Sequence, residues 1–138
     1  MRPEVLTRGF VVQLLRRAGY REIAVATVSA AIFSALHAGN LLNGQGVLTT
    51  VIQLVYTFAF GILMYLTLRV TGNLVWPILL HAATDPSTAL MASFPRDGGL
   101  EIVAGLGNFF VIGTGLILLC FIRGHVEPEL PIGERRAA

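Results

Sequence analysis

The sequence predicts an all-α protein, a polytopic transmembrane helical bundle with about four spanning helices and a short N-terminal helix. Its mean hydropathy is +0.72, and only 13% of its 138 residues are charged, about half the share in soluble domains. Residues 23–68 and 102–122 contain no Asp, Glu, Lys or Arg. A helix that crosses a bilayer needs about 20 consecutive apolar residues. These runs therefore favour a transmembrane domain over residues 1–122 rather than a soluble helical core.

The first half of the chain is predicted to form three helices. Residues 3–18 begin with Pro3 at the first helical position, where its missing N–H costs nothing, and form a half-span or an interfacial helix. Residues 22–37 are rich in Ala and Ser, small residues that let membrane helices pack closely. Glycine and asparagine predict a loop over residues 38–46. Residues 47–70 are long enough to cross a membrane alone.

The second half is predicted to form two helices and a tail. The fourth helix covers residues 73–93 and carries Pro77 in its first turns, where proline is tolerated. Residues 94–98 form a short loop, and the last span covers residues 99–122. Residues 123–138 are polar and contain two prolines, so we expect a disordered tail.

The arginines predict a topology. Arginine supplies all ten basic residues. If every helix after the first crosses the membrane once, seven of these arginines fall on the same side of the membrane: Arg16, Arg17, Arg21, Arg69, Arg123, Arg135 and Arg136. The positive-inside rule places that side in the cytoplasm, so we expect a multi-pass protein of the cell membrane with a cytoplasmic tail. The net charge of +2 is too small and dispersed for nucleic-acid binding.

Several ionisable side chains occur where a membrane protein should be apolar. His81 and Asp85 are four residues apart, on the same face of a helix. At 1.5 Å per residue, His37 lies about 22 Å and His81 about 12 Å along their helices, while Glu4 lies about 18 Å from the turn that ends the first helix. Glu4, His37 and His81 are therefore predicted to meet at similar depth. Ionisable groups inside a membrane indicate function.

Two kinds of chemistry, and several structural alternatives, fit these residues. Two His and one Glu can bind a divalent metal such as Zn²⁺ or activate water as a general base. Glu4 and Arg8 can instead form a helix surface pair, and Asp85 can simply orient His81. A proton relay is a further interpretation, which the lack of an evident inverted repeat disfavours.

Three motifs in order carry a family resemblance. Residues 33–37, Phe-Ser-Ala-Leu-His, match F-x-x-x-H, and residues 81–85, His-Ala-Ala-Thr-Asp, match H-x-x-x-N/D. Residues 4–8, Glu-Val-Leu-Thr-Arg, match the second half of E-E-x-x-x-R. Over residues 3–93 the chain resembles the CPBP intramembrane proteases, the family of CAAX prenyl endopeptidases and bacteriocin-processing or self-immunity proteins, also called the Abi family.

The resemblance implies an intramembrane endopeptidase, a hydrolase acting on membrane peptides or lipidated proteins. It implies that Glu4 and His37 activate the attacking water. It implies that His81 and Asp85 stabilise the oxyanion, and that Arg8 orients the first motif. Some descriptions of the family make these residues metal ligands, which would give Glu4, His37 and His81 a zinc ion to hold.

The chain departs from the family pattern in two ways. Pro3 stands where the first glutamate of the first motif is expected, and proline cannot act as a base. The membrane helices that usually precede this motif are not in the sequence. Both departures fit an N-terminally truncated chain. They also fit a degenerate member of the same fold that acts as a scaffold or a bacteriocin self-immunity factor.

Overall fold

The computed structural model describes residues 3–93 and 99–126, and the side chains of residues 3–84 and 107–126. All regular elements within these ranges are helices, as the composition predicted. The predicted loop over residues 94–98 and most of the predicted disordered tail lie outside the described residues.

The N-terminal helix has two parts. A π-helical segment, Val5–Val11, leads into helix α1, Val12–Arg17. This confirms the helix predicted over residues 3–18, although its wide π-helical turn was not predicted. Such turns occur frequently at functional sites, and this one contains Arg8 of the first motif and directly follows Glu4.

Helices α2 and α3 follow the N-terminal helix. Helix α2 is Glu22–His37 and continues into a 3₁₀ turn, Ala38–Leu41, within the predicted loop. Helix α3 is Val47–Thr71 and ends at Gly72. Gly72 has φ 65°, and its N–H donates to the Leu68 carbonyl over 2.8 Å. A glycine in this left-handed conformation is a common way to end a helix.

Helices α4 and α5 complete the bundle. Helix α4 is Val75–Ser93, and α5 is Gly99–Leu119. The Val75 N–H donates to Asn73 Oδ1 over 2.9 Å, so the asparagine side chain caps the start of α4. Both helices were predicted within two or three residues of these bounds.

Within the described part of the chain, two helical stretches are long and apolar enough to cross a membrane, Glu22–Leu41 and Val47–Thr71. They are consistent with the predicted membrane location. Apolar side chains on one face of α3, among them Leu48, Val51 and Val55, are exposed, as expected for residues facing lipid. The predicted number of four spans and the cytoplasmic side of the tail stay predictions.

The core lies between α2 and α3, with the N-terminal helix and the end of α5 packed around it. The buried cluster comprises Val12, Val25, Ala26, Ala30, Ile62, Tyr65 and Ile122. The predicted small residues of α2 contribute Ala26 and Ala30, both fully buried. Small side chains let two helix backbones approach closely. These alanines therefore allow α2 and α3 to pack closely against each other.

Helix α5 contacts α3 at Gly115, and this contact gives a testable prediction. A Cβ at Gly115 would lie 2.9 Å from the carbonyl carbon of Ala59 and closer still to its oxygen. Gly115→Ala is therefore expected to lower the free energy of unfolding by about 1–3 kcal/mol, measured by denaturation in detergent. Gly113→Ala is the control, because a Cβ there meets nothing within 4 Å. Equal stability of the two variants would contradict this packing.

Candidate active site

The two charged residues of the first motif lie in the protein interior. Glu4 is 4% exposed and Arg8 is 1% exposed. The alternative interpretation of these two residues as a surface pair is therefore wrong. A buried charged side chain requires hydrogen-bond or ionic partners. Glu4 and Arg8 have such partners on different helices.

Arg8 ties the N-terminal helix to α3. Its Nη1 donates to Thr7 Oγ1 over 2.6 Å, and its Nη2 donates to the carbonyl oxygen of Gly61 over 2.7 Å. Its guanidinium carbon also lies 4.6 Å from the centroid of the Phe33 ring on α2. A Cβ at Gly61 would lie 2.9 Å from Arg8 Nη2, so a glycine at this position lets the guanidinium reach the backbone.

Glu4 contacts His81 of helix α4. Oε1 of Glu4 pairs with Nδ1 of His81, a contact between residues 77 positions apart. An ionised carboxylate only accepts hydrogen bonds, so Nδ1 of His81 is the donor. Glu4 thereby holds the orientation of the His81 ring, as carboxylates commonly do for functional imidazoles.

His37 and His81 approach each other across Phe33. The ring centroids of the two imidazoles are 6.4 Å apart, and each packs edge-on against Phe33, at 5.0 and 5.2 Å. Nδ1 of His37 lies 3.0 Å from the Phe33 carbonyl oxygen. Because a carbonyl only accepts, this bond places the proton on Nδ1 and leaves the lone pair of the neutral ring on Nε2.

Both imidazoles line a cavity of about 300 Å³ between α2, α3, α4 and α5. Its apolar wall includes Phe33 and Phe60. Its polar lining comprises His37, Thr49, Gln53, Tyr56, Thr57, His81, Thr84 and Asn108. Water takes about 30 Å³ per molecule in the liquid, so the cavity can hold a peptide group together with an attacking water. Glu4 is not among the lining residues, but it contacts His81, which is.

Glu4, His37 and His81 come from three helices. Glu4 contacts His81, and the His81 ring lies 6.4 Å from the His37 ring. The roles of these residues stay predictions. Asp85 lies on α4, but its side chain is outside the described residues, so its role stays a prediction.

The zinc prediction requires Glu4, His37 and His81 to face one point. Among the residues with described side chains, no three His, Cys, Asp or Glu lie close enough together to hold a metal ion. The carboxylate of Glu4 faces Nδ1 of His81 instead of a point shared with His37. The described arrangement does not fit this ligand set. Zinc binding stays an untested prediction, and no step proposed below is routed through a metal.

The structure contains a second buried ionic cluster, which the sequence analysis missed. Glu22 at the start of α2 is fully buried. Arg16 donates to both of its carboxylate oxygens, over 2.9 and 2.8 Å, and the Tyr65 hydroxyl donates to Oε2. The cluster joins α1, α2 and α3. The available signal was an arginine and a glutamate facing each other across the turn between two helices.

A comparison with known protein families shows which family the chain belongs to. The sequence model of the Rce1-like family, described as type II CAAX prenyl endopeptidase Rce1-like, matches residues 3–86. The chain belongs to this Rce1-like family. The match covers more than half of the chain and every motif residue from Glu4 to Asp85. No curated protein and no solved structure matches the chain. The resemblance seen in the sequence is therefore confirmed for the family, and α5 lies beyond the matched part.

Proposed function

We propose that this Rce1-like chain is an intramembrane endopeptidase that hydrolyses a peptide bond in the cavity between His37 and His81. One observation carries the proposal: two motif histidines from different helices line the same cavity, with ring centroids 6.4 Å apart. A peptide carbonyl between the two rings would have a base on one side and a donor on the other.

His37 is the general base of the proposed reaction. Its Nδ1–H is occupied by the Phe33 carbonyl, so Nε2 is the nitrogen that accepts a proton from water. The water oxygen attacks the carbonyl carbon of the substrate, and the proton moves to Nε2. A positioned general base contributes about 10²–10⁴-fold to the rate. The protonated His37 then gives this proton to the leaving nitrogen as the C–N bond breaks.

His81 stabilises the oxyanion that forms during the attack. In this role the His81 ring carries a proton on both nitrogens: Nδ1–H donates to Glu4, and Nε2–H donates to the oxyanion. A fixed cationic donor beside a developing negative charge is among the largest contributions to catalysis. Asp85, one turn further along α4, is assigned to the same oxyanion site on the basis of the family motif.

The substrate class follows from the family and from the surroundings of the cavity. Type II CAAX prenyl endopeptidases give the family its description, and the flanking helices α2 and α3 are apolar enough to lie in a bilayer. We therefore propose a membrane peptide or a lipidated protein as substrate, cleaved at the cell membrane.

Cleavage assays on the purified chain in liposomes test this function. The probes are an S-farnesylated CAAX-type peptide and a transmembrane peptide. His37→Ala is expected to lower kcat by about a hundredfold or more. His125→Ala is the control, because His125 is exposed and is not among the residues that line the cavity. This variant should cleave as the unchanged chain does. Cleavage of neither probe, or equal cleavage by the His37→Ala chain, would overturn the proposal.

A second candidate function is a non-catalytic membrane protein of the same fold, a scaffold or a self-immunity factor. Pro3 favours it, because the residue cannot replace the first glutamate of the motif. Pro3→Glu is a suitable test, since the Pro3 carbonyl, which accepts from Thr7 Oγ1 over 2.8 Å, is kept. If the unchanged chain is inactive and Pro3→Glu restores no cleavage, the non-catalytic function is favoured.

A further inference from the structure

We propose that the side-chain amide of Gln53 binds the peptide substrate by donating a hydrogen bond to one of its backbone carbonyls. Gln53 lies on α3, outside all three motifs, and lines the cavity together with His37 and His81. The inference rests on the proposed function and adds a substrate-binding residue to the same site.

Two side-chain amides of the loop after α2 form hydrogen bonds with Gln53. Oε1 of Gln53 accepts from Nδ2 of Asn40 over 3.0 Å and from Nε2 of Gln45 over 2.8 Å. In this arrangement the NH₂ group of Gln53 takes part in neither of these two bonds.

The NH₂ group of Gln53 is the part of the side chain that can form hydrogen bonds with a ligand. Among the residues with described side chains, its Nε2 makes no hydrogen bond, whereas its oxygen makes two. Its two N–H groups can donate to a ligand that enters the cavity. A carbonyl of a bound ligand would satisfy them, and a peptide backbone presents such carbonyls at regular spacing.

The wall beside Gln53 indicates what else the peptide presents. Tyr56 and Phe60, one and two turns further along α3, stack with ring centroids 5.9 Å apart and an interplanar angle of 5°. Both line the cavity. This surface suits an apolar side chain of the peptide, while Gln53 holds the neighbouring backbone carbonyl. The ligand class is an extended peptide with an apolar residue near the scissile bond.

Gln53→Glu separates this role from a structural one. Glutamate keeps the size of the side chain and an oxygen acceptor for Asn40 and Gln45, but it removes both N–H donors. In the non-cleaving His37→Ala chain, Gln53→Glu is expected to weaken binding of a fluorescent S-farnesylated peptide amide by about tenfold or more. Gln13→Glu is the matched control, because it adds the same charge on an exposed residue outside this cavity.

A thioamide scan of the same peptide provides the decisive readout. Sulfur is a weaker hydrogen-bond acceptor than a carbonyl oxygen. At one position of the peptide, replacing the carbonyl oxygen by sulfur should therefore weaken binding to the chain with Gln53. The same replacement should not weaken binding to the Gln53→Met chain. A purely structural glutamine would leave this penalty the same in both chains.

The outcomes for Gln53 and for the proposed hydrolysis are distinguishable. If His37→Ala abolishes cleavage but Gln53→Glu binds the peptide as tightly as Gln13→Glu does, the Gln53 inference is overturned and the hydrolase stands. If the chain cleaves no peptide but Gln53→Glu still weakens binding, the hydrolase fails and Gln53 stands as a peptide-binding residue.

Discussion

Replacing His81 with Ala is expected to lower the kcat of peptide cleavage by about a hundredfold or more, because the substitution removes the donor to the developing oxyanion. The same substitution removes the partner of buried Glu4. KM should change much less than kcat, since the interaction forms mainly in the transition state. Steady-state kinetics in liposomes, with the farnesylated peptide as substrate, measures both constants.

A double substitution tests whether Glu4 acts through His81. Glu4→Ala alone is expected to reduce kcat, because it releases the His81 ring. Residues that act as one unit show strongly non-additive effects. The Glu4→Ala/His81→Ala chain should therefore be no slower than His81→Ala alone. Multiplied losses in the double variant would show that Glu4 acts independently, for example on the attacking water.

Glu22→Ala is expected to give the largest loss of stability, about 3–5 kcal/mol in the free energy of unfolding. Removing one partner of a buried ion pair leaves the other partner uncompensated. Here the remaining groups are the Arg16 guanidinium, whose side chain is 19% exposed, and the buried Tyr65 hydroxyl. Denaturant titration in detergent micelles, followed by circular dichroism, measures the change.

Two further variants make the stability result specific. Glu22→Gln keeps the volume of the side chain and one acceptor, so its loss should be smaller than that of Glu22→Ala. Arg21→Ala removes the charge of an exposed neighbouring residue and should leave the midpoint unchanged. Equal midpoints for Glu22→Ala and Arg21→Ala would show that the buried cluster does not hold the N-terminal helix in place.

The helices and the meeting of the motifs were predictable for simple reasons. Uncharged runs of spanning length leave few alternatives to helices, and the small residues of α2 predict close packing. Helical rise then fixes depth, so residues on different helices could be brought to one level before any contact was known. This reasoning placed Glu4, His37 and His81 together.

The details that decide the chemistry depend on side-chain directions, which sequence spacing does not specify. The contact of Glu4 with Nδ1 of His81 depends on the π-helical turn at Val5–Val11, and this turn has no signal in its sequence. The role inferred for Gln53 depends on a loop that folds back onto α3. Its partners Asn40 and Gln45 were recognised only as loop residues.

Photo-crosslinking tests most directly whether the cavity between His37 and His81 takes the peptide. The farnesylated peptide carries a diazirine beside the scissile bond and is irradiated with the His37→Ala chain in liposomes. Mass spectrometry should find the label on cavity residues such as Phe33, Tyr56 and Phe60, and excess unlabelled peptide should remove it. A label confined to the exposed face of α3, at Leu48 or Val51, would contradict the account.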